Sequence, residues 1–148
     1  MTYDVLVFGE SLIDLIQVEN SDNQELPQYR ACPGGSPFNA ALALGRQGVK
    51  TGFATPLSSD AFGDLLINRL HGSGATYAYP QRVQNPTSLA VVTLNNGQAT
   101  YQFYREDVAD RAVDFALLRS SNPSLIAEVI AFTIIPIDLE ASSFAGIG

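Results

Sequence analysis

Between Gly34 and Gly48 the chain reads GGSPFNAALALGRQG, and no other segment narrows the fold as far. Ser36 is placed to cap a helix, and Pro37 suits the first helical position, where a missing N–H costs nothing. Phe38, Ala41, Leu42 and Gly45 then recur at i, i+3, i+4 and i+7, which gives the helix one apolar face. Gly48 ends it. Such a face must be buried against another layer, and the flanking runs supply one. Tyr3 to Phe8 (YDVLVF) is a short apolar run ending at Gly9, the pattern of a buried parallel strand. TGFATPL after the helix reads as a second core strand. Asp60 or Ser59 then caps an amphipathic helix with Phe62, Leu65, Leu66 and Leu70 inward and Gly72 as its stop. Strand, helix, strand, helix implies right-handed crossovers and a parallel sheet. The fold class is α/β.

The pattern changes after this. SLIDLIQV, from Ser11, alternates weakly and reads as a strand leaving the core, followed by a polar loop from Asn20 to Pro27. Residues Ser88 to Arg105 read as an antiparallel hairpin turning at Asn96-Gly97, a type I′ signal. A two-residue turn sets Leu94 opposite Ala99, Val92 opposite Tyr101 and Ala90 opposite Phe103. Arg105 and Ser88 lie at the open end. A lone hairpin is not stable in water, so the segments near 13–32 and 76–82 are expected to widen it into a small sheet apart from the parallel core. Val113 to Arg119 reads as a short helix, and Val129 to Ile135 as another core strand.

Charge and composition exclude several functions. The formal net charge is -7 and the eight Lys and Arg are scattered, so the basic stripe that nucleic acid requires is missing. One Cys and one His leave no thiolate or imidazole metal cluster. No run reaches the roughly 18 apolar residues of a membrane span, and a cytoplasmic location is expected. Cys32 reads as a small buried hydrophobe, and His71 as an ordinary residue at a helix end.

Gly34-Gly35 support two readings on the residues alone. They make a tight turn with Asn39 helping to cap, or they let a ligand approach backbone N–H groups at a helix start. Asn39 both donates and accepts, which suits a hydroxyl more than an anion. A phosphate loop is disfavoured, since neither a Gly-Lys-Ser/Thr ending nor GxGxxG is present. A Rossmann-type domain would need its Gly-rich turn directly after the first strand, where Gly9 stands alone.

GGSPFNAALALGRQG resembles the N-terminal signature of PfkB-type, ribokinase-like carbohydrate kinases. VFGESLIDL resembles the fructokinase-like opening of that family, LSSDAFGDLL its stretch ending in Asp-x-Phe-Gly, and TSLAVVTLNNGQATYQFYR its lid hairpin. ADRAV is similar to the segment that follows in bacterial fructokinase-like members. These matches run in order from residue 1 to about 112, and Ser58 stands where the family usually has Gly. The resemblance implies an incomplete ribokinase-like three-layer parallel core (segments 1–12, 33–75 and 112–148) under a small antiparallel β-sheet lid (13–32 and 76–111). It implies that Asp14 binds sugar hydroxyls, that Gly34, Gly35 and Asn39 form the sugar-contacting loop, and that Arg105 reaches the substrate from the lid end. Tyr101 and Phe103 are expected to pack within the lid. The expected partner is a monosaccharide, fructose-like or ribose-like.

In the complete family, ATP and Mg²⁺ serve phosphoryl transfer, and a Gly-Ala-Gly-Asp motif in the second half supplies helix-start N–H groups and a base. That motif is not in this sequence, and Asp138 in IPIDLE has a different setting. Without an anion hole and base, a sugar pocket accelerates transfer little. The expectation is a truncated paralogue, gene fragment or interrupted frame, with no catalytic residues of its own, inactive alone and binding ATP and Mg²⁺ poorly. The alternative is a non-catalytic sugar-binding module or a homodimer formed through the lid.

Overall fold

The YDVLVF run forms the central strand that its apolar pattern demands. The computed structural model describes residues 3–18, 26–95, 98–121 and 129–131, and their elements follow in chain order. β1 (Val5–Phe8), β2 (Leu12–Val18) and β3 (Gln28–Gly34) precede α1 (Ser36–Arg46). β4 (Thr51–Phe53), α2 (Ala61–Ser73) and β5 (Thr76–Tyr77) come next. β6 (Ser88–Asn95), β7 (Gln98–Tyr104), α3 (Phe115–Ser121) and β8 (Val129–Ala131) complete the set, with a 3₁₀ turn at Ala109–Arg111.

Two sheets result. The first has the order β5-β4-β1-β8, with all of its pairs parallel. Side chains alternate across β1. Val7 joins Phe38, Leu42, Phe53, Leu66 and Leu70 beneath α1 and α2, while Leu6 packs on the other face with Ala54, Ala78 and Leu118 of α3. Helices therefore cover both faces, the three-layer arrangement expected of α/β chains. Phe38 meets Phe53 edge-on at 5.4 Å, and neither is exposed.

The second sheet has the order β3-β2-β6-β7. The hairpin register is the expected one, with Leu94 opposite Ala99, Val92 opposite Tyr101 and Ala90 opposite Phe103; Asn96-Gly97 lie outside the described residues. Ile13, Leu15, Ala31 and Leu89 of this sheet pack against the cluster beneath α1 and α2, so the two sheets share a core.

Several expectations need correction. The lid sheet is mixed, since β2 and β6 run parallel between antiparallel flanks. The chain has to pass through α1, β4 and α2 between those strands, and that crossover reverses the direction a hairpin would give. The 76–82 segment does not widen the hairpin: Thr76 and Tyr77 extend the first sheet beside β4. Gly35, not Ser36, is the cap of α1, because its φ of 103° sets the turn one residue earlier. α2 runs past Gly72 to a left-handed Gly74, and Leu65 sits at the exposed flank of its apolar stripe. Cys32 is half-buried in β3, which lies at the edge of its sheet. The short helix begins at Phe115, not Val113, and of the strand expected at 129–135 the described part is Val129–Ala131. Ser58 takes the position of the family's glycine without a left-handed backbone, and its Oγ accepts from Asp60 N–H at 3.1 Å.

Asp60 ties the core to the second sheet. Its Oδ1 accepts from the Gly63 N–H at 2.7 Å and caps α2, and its carboxylate also takes the N–H and hydroxyl of Thr87 just before β6. Burial alone would raise its pKa. The donors from Thr87, Gly63 and Ser58 outweigh that and hold it below the ordinary value. A carboxylate lowered in the folded state stabilises above its unfolded pKa, and that contribution is lost as pH falls through the folded value.

Two stability outcomes follow. Asp60→Ala should cost about 1–2 kcal/mol at pH near 7 in urea melts, and the deficit should shrink as pH falls below about 4. Gly45→Ala, which at an ordinary helix position would gain up to about 1 kcal/mol, should instead cost about 1–3 kcal/mol. The new Cβ would lie 2.6 Å from the Ala75 backbone nitrogen, where α1 rests on the turn after α2.

Candidate sugar-binding site

The C-terminal end of β1 opens onto a corner where four segments meet. Ligands of open α/β sheets bind beyond the carboxyl ends of parallel strands, so this corner is the place to examine first. Glu10 follows β1, Asp14 lies on β2, Gly34-Gly35 join β3 to α1, and Arg105 directly follows β7.

Register places the side chains. Asp14 sits opposite Cys32 on one side and Ala90 on the other, and Ala90 sits opposite Phe103. Cys32, Asp14, Ala90 and Phe103 therefore form one row across the sheet, with side chains on one face. Arg30, Ile16, Val92 and Tyr101 form the next row on that face. The small Ala90 leaves room between the Asp14 carboxylate and the Phe103 ring.

The glycine pair makes the opposite wall. A Cβ at Gly34 would collide with the Asp14 carboxylate, and one at Gly35 would come within 2.6 Å of the Glu10 carbonyl oxygen. Only a backbone without side chains lets α1 start this close to β2. Gly35 and Ser36 line a recess of about 230 Å³ together with Glu10, Asp14, Phe103 and Arg105. That is below the roughly 300–1,000 Å³ of drug-sized pockets and suits a small ligand. Two roomier clefts of about 450 Å³ each flank Arg105, but neither includes Asp14 or the glycines. The smaller recess is preferred because carboxylates, open backbone and ring faces converge there.

Arg105 closes the recess. Its Nη1 lies 2.8 Å from Glu10 Oε2, and its guanidinium carbon stands 4.1 Å from the centre of the Phe103 ring. Its Nε is buried without a partner among the described residues. Burial raises the Asp14 pKa, against the pull of Arg105. Glu10 is raised by burial too, with Arg105 and Arg111 opposing and Asp110 and Asp14 adding to the rise.

The structure thus brings Asp14, Gly34, Gly35 and Arg105 together. Asn39 is exposed on the first turn of α1; its N–H donates to the Gly35 carbonyl at 2.9 Å, and its side chain does not line the recess. Tyr101 and Phe103 depart from the expected lid packing. They are 57% and 44% exposed, stack at 6.2 Å and face the recess, because β7 is the outer strand of its sheet. Sequence reasoning assigned no role to Glu10 or Asp110. Glu10 was open to discovery, as the first side chain capable of ionising beyond a parallel strand. Asp110 was not: its Oδ1 accepts from the Ser88 hydroxyl at 2.6 Å and its Oδ2 from the Ser11 N–H at 3.4 Å, contacts that span 22 and 99 residues.

Carboxylates beside a glycine backbone and ring faces are a chemistry for hydroxyls and C–H surfaces. Among the described residues, no group of three or more His, Cys, Asp or Glu is placed to hold a metal ion. Likewise, no helix among them is long and apolar enough to cross a membrane.

Residues 2–135 match the model of the pfkB family carbohydrate kinase. A fructokinase from Rhizobium leguminosarum bv. trifolii is 37% identical over 112 residues, which is 76% of this chain and 34% of that protein. An ATP-dependent 6-phosphofructokinase from Thermoanaerobacterium thermosaccharolyticum is 31% identical over 77% of this chain and 35% of that protein. The crystal structure of a fructokinase with bound ATP from Xylella fastidiosa superposes with a TM-score of 0.72 at 31% identity, over 80% of this chain and 38% of that one. The chain spans about a third of the length of the curated relatives it matches. Its fold is that of ribokinase-like proteins, and the chain belongs to the pfkB family of carbohydrate kinases.

Proposed function

We propose that this chain forms the sugar-binding part of an ATP-dependent, fructokinase-like carbohydrate kinase and does not transfer phosphate by itself. The supporting observation is the convergence of Asp14, Gly35 and Arg105 on one recess of monosaccharide scale, with Gly34 packed against the Asp14 carboxylate.

Each wall has a task. The Asp14 carboxylate accepts hydrogen bonds from adjacent hydroxyls, a pairing stronger than one between neutral groups. Gly34 and Gly35 admit the sugar against the backbone, and the Phe103 and Tyr101 faces cover its C–H surface. Asn39, one turn into α1, reaches the sugar once the ligand extends past Ser36. In this reading ATP supplies the transferred phosphoryl group with Mg²⁺. The residues of this chain hold and orient the accepting hydroxyl.

The same recess explains why transfer needs more. The transition state carries charge on the phosphoryl oxygens and is stabilised by N–H groups and cations. Glu10 and Asp14 present carboxylates, and Arg105, the guanidinium among the described residues that line the recess, is paired.

A second reading is favoured by one observation: β7 carries Tyr101, Phe103 and Tyr104, all strongly exposed, on an outer strand. Such an edge suits pairing with a second copy through the lid.

Titration calorimetry with fructose and ribose tests the first reading, and sedimentation velocity the second. Fructose should bind at millimolar strength or better, and Asp14→Asn should weaken binding at least about tenfold. The same substitution should raise Tm at neutral pH, because a carboxylate whose folded pKa is raised destabilises the folded chain once pH exceeds its unfolded value. Sugar phosphorylation by the chain alone should stay at least about a thousandfold below the 1–100 s⁻¹ of ordinary kinases. Turnover in that range would overturn the non-catalytic part of the proposal.

A further inference from the structure

Arg105 is a cation in a recess whose other charged lining groups, Glu10 and Asp14, are carboxylates, and its charge is already engaged. Its Nη1 pairs with Glu10 Oε2 at 2.8 Å, and the two side chains are only 14% and 21% exposed. The Phe103 ring covers one face of the guanidinium, and Nε lies buried and unpaired among the described residues. Asp14 lies within electrostatic reach of the same group. Two carboxylates against one guanidinium leave the lining with one net negative charge.

On the sugar-site reading above, we propose that Glu10 is a specificity-determining residue: by keeping Arg105 in an ion pair, it makes the recess accept neutral sugars and reject sugars that carry an anionic group. An entering anion meets Glu10 and Asp14 where water is partly excluded and screening is weak. It gains Arg105 only if Glu10 gives it up, and a largely buried carboxylate left without its partner is costly. The rejection comes from a repulsive element already in place, the usual way a site discriminates against a near-isosteric competitor.

Removing the Glu10 charge changes both terms. The lining becomes neutral, with Asp14 against Arg105, and the guanidinium fork is free to take a carboxylate in a two-point contact. The protonation of Glu10 has the same consequence. Burial raises its pKa first of all, with Asp110 and Asp14 adding to the rise and Arg105 and Arg111 opposing it. Asp14, raised as well, shifts the balance in the same direction as it protonates.

The experiment is calorimetric titration of the full chain with D-fructose and with D-gluconate, a hexose-sized carboxylate. The native chain should bind fructose and show gluconate at least about tenfold weaker. Glu10→Gln should raise the gluconate-to-fructose affinity ratio about tenfold or more, and the double variant Glu10→Gln, Arg105→Gln should lose that gain. Should Glu10→Gln fail to fold, the native chain decides the matter. Its gluconate-to-fructose affinity ratio should rise between about pH 8 and about pH 5, where a free carboxylate ligand stays ionised. Fructose binding with an unchanged ratio, in the folded variant or across that pH range, overturns the role of Glu10 alone. A native chain that binds neither sugar overturns the sugar-site reading, and the role of Glu10 with it.

Discussion

The site depends on one buried hydroxyl. At Gly9 the chain leaves the parallel sheet and turns toward the second sheet, and both polar groups of that residue's backbone must be satisfied away from water. The Gly9 N–H donates to Thr55 Oγ at 2.8 Å, and the Thr55 hydroxyl donates back to the Gly9 carbonyl at 2.8 Å. Thr55 is fully buried on the chain that follows β4. Leaving either group unpaired would cost about 1–3 kcal/mol, so this exchange fixes where β1 ends and where Glu10 and β2 begin. Asp110 secures the same corner from outside through Ser11 and Ser88, the residues just before β2 and at the start of β6. Asp60 secures Thr87 one residue earlier.

Fixing the corner lets the recess carry groups that work against stability. Glu10 and Asp14 both have pKa values raised by burial, and Arg105 carries a buried donor without a partner among the described residues. Carboxylates held this way are ready to accept hydroxyl donors, and Tyr101 and Phe103 remain about half exposed beside them. Each of these features would be removed by a sequence optimised for stability alone. The core that compensates is local and dense: Phe38, Phe53, Leu66 and Leu70 are fully buried beneath α1 and α2.

What the sequence allowed to be read divides along the range of the interactions. Patterns with a short period were readable. The i, i+3, i+4, i+7 spacing placed Phe38, Ala41, Leu42 and Gly45 inward, and the Asn96-Gly97 signal gave the β6–β7 register. The cap of α2 was readable to within one residue, as Asp60 or Ser59, because capping acts over three residues, and Asp60 is the one that fills it. The direction of β2 against β6 was not, since it depends on the crossover through α1 and α2 between them. The placement of Thr76 and Tyr77 escaped for a related reason: two residues carry no periodicity, and a neighbouring strand decides where they pair. In the site, the paired glycines stood out on their own residues and Asp14 through the family resemblance, whereas the Glu10–Arg105 pair joins positions 95 apart in sequence and emerges only in space.

Amide hydrogen exchange at Gly9 tests the central claim most directly, because it reports on that one junction in the native chain. A Gly9 N–H held by a fully buried Thr55 should exchange only when the core opens, as slowly as the amides of β1 and β4. Exchange at the rate of an exposed loop would mean that the corner is not held by the core, and the convergence of Glu10, Asp14 and Gly35 would lose its foundation.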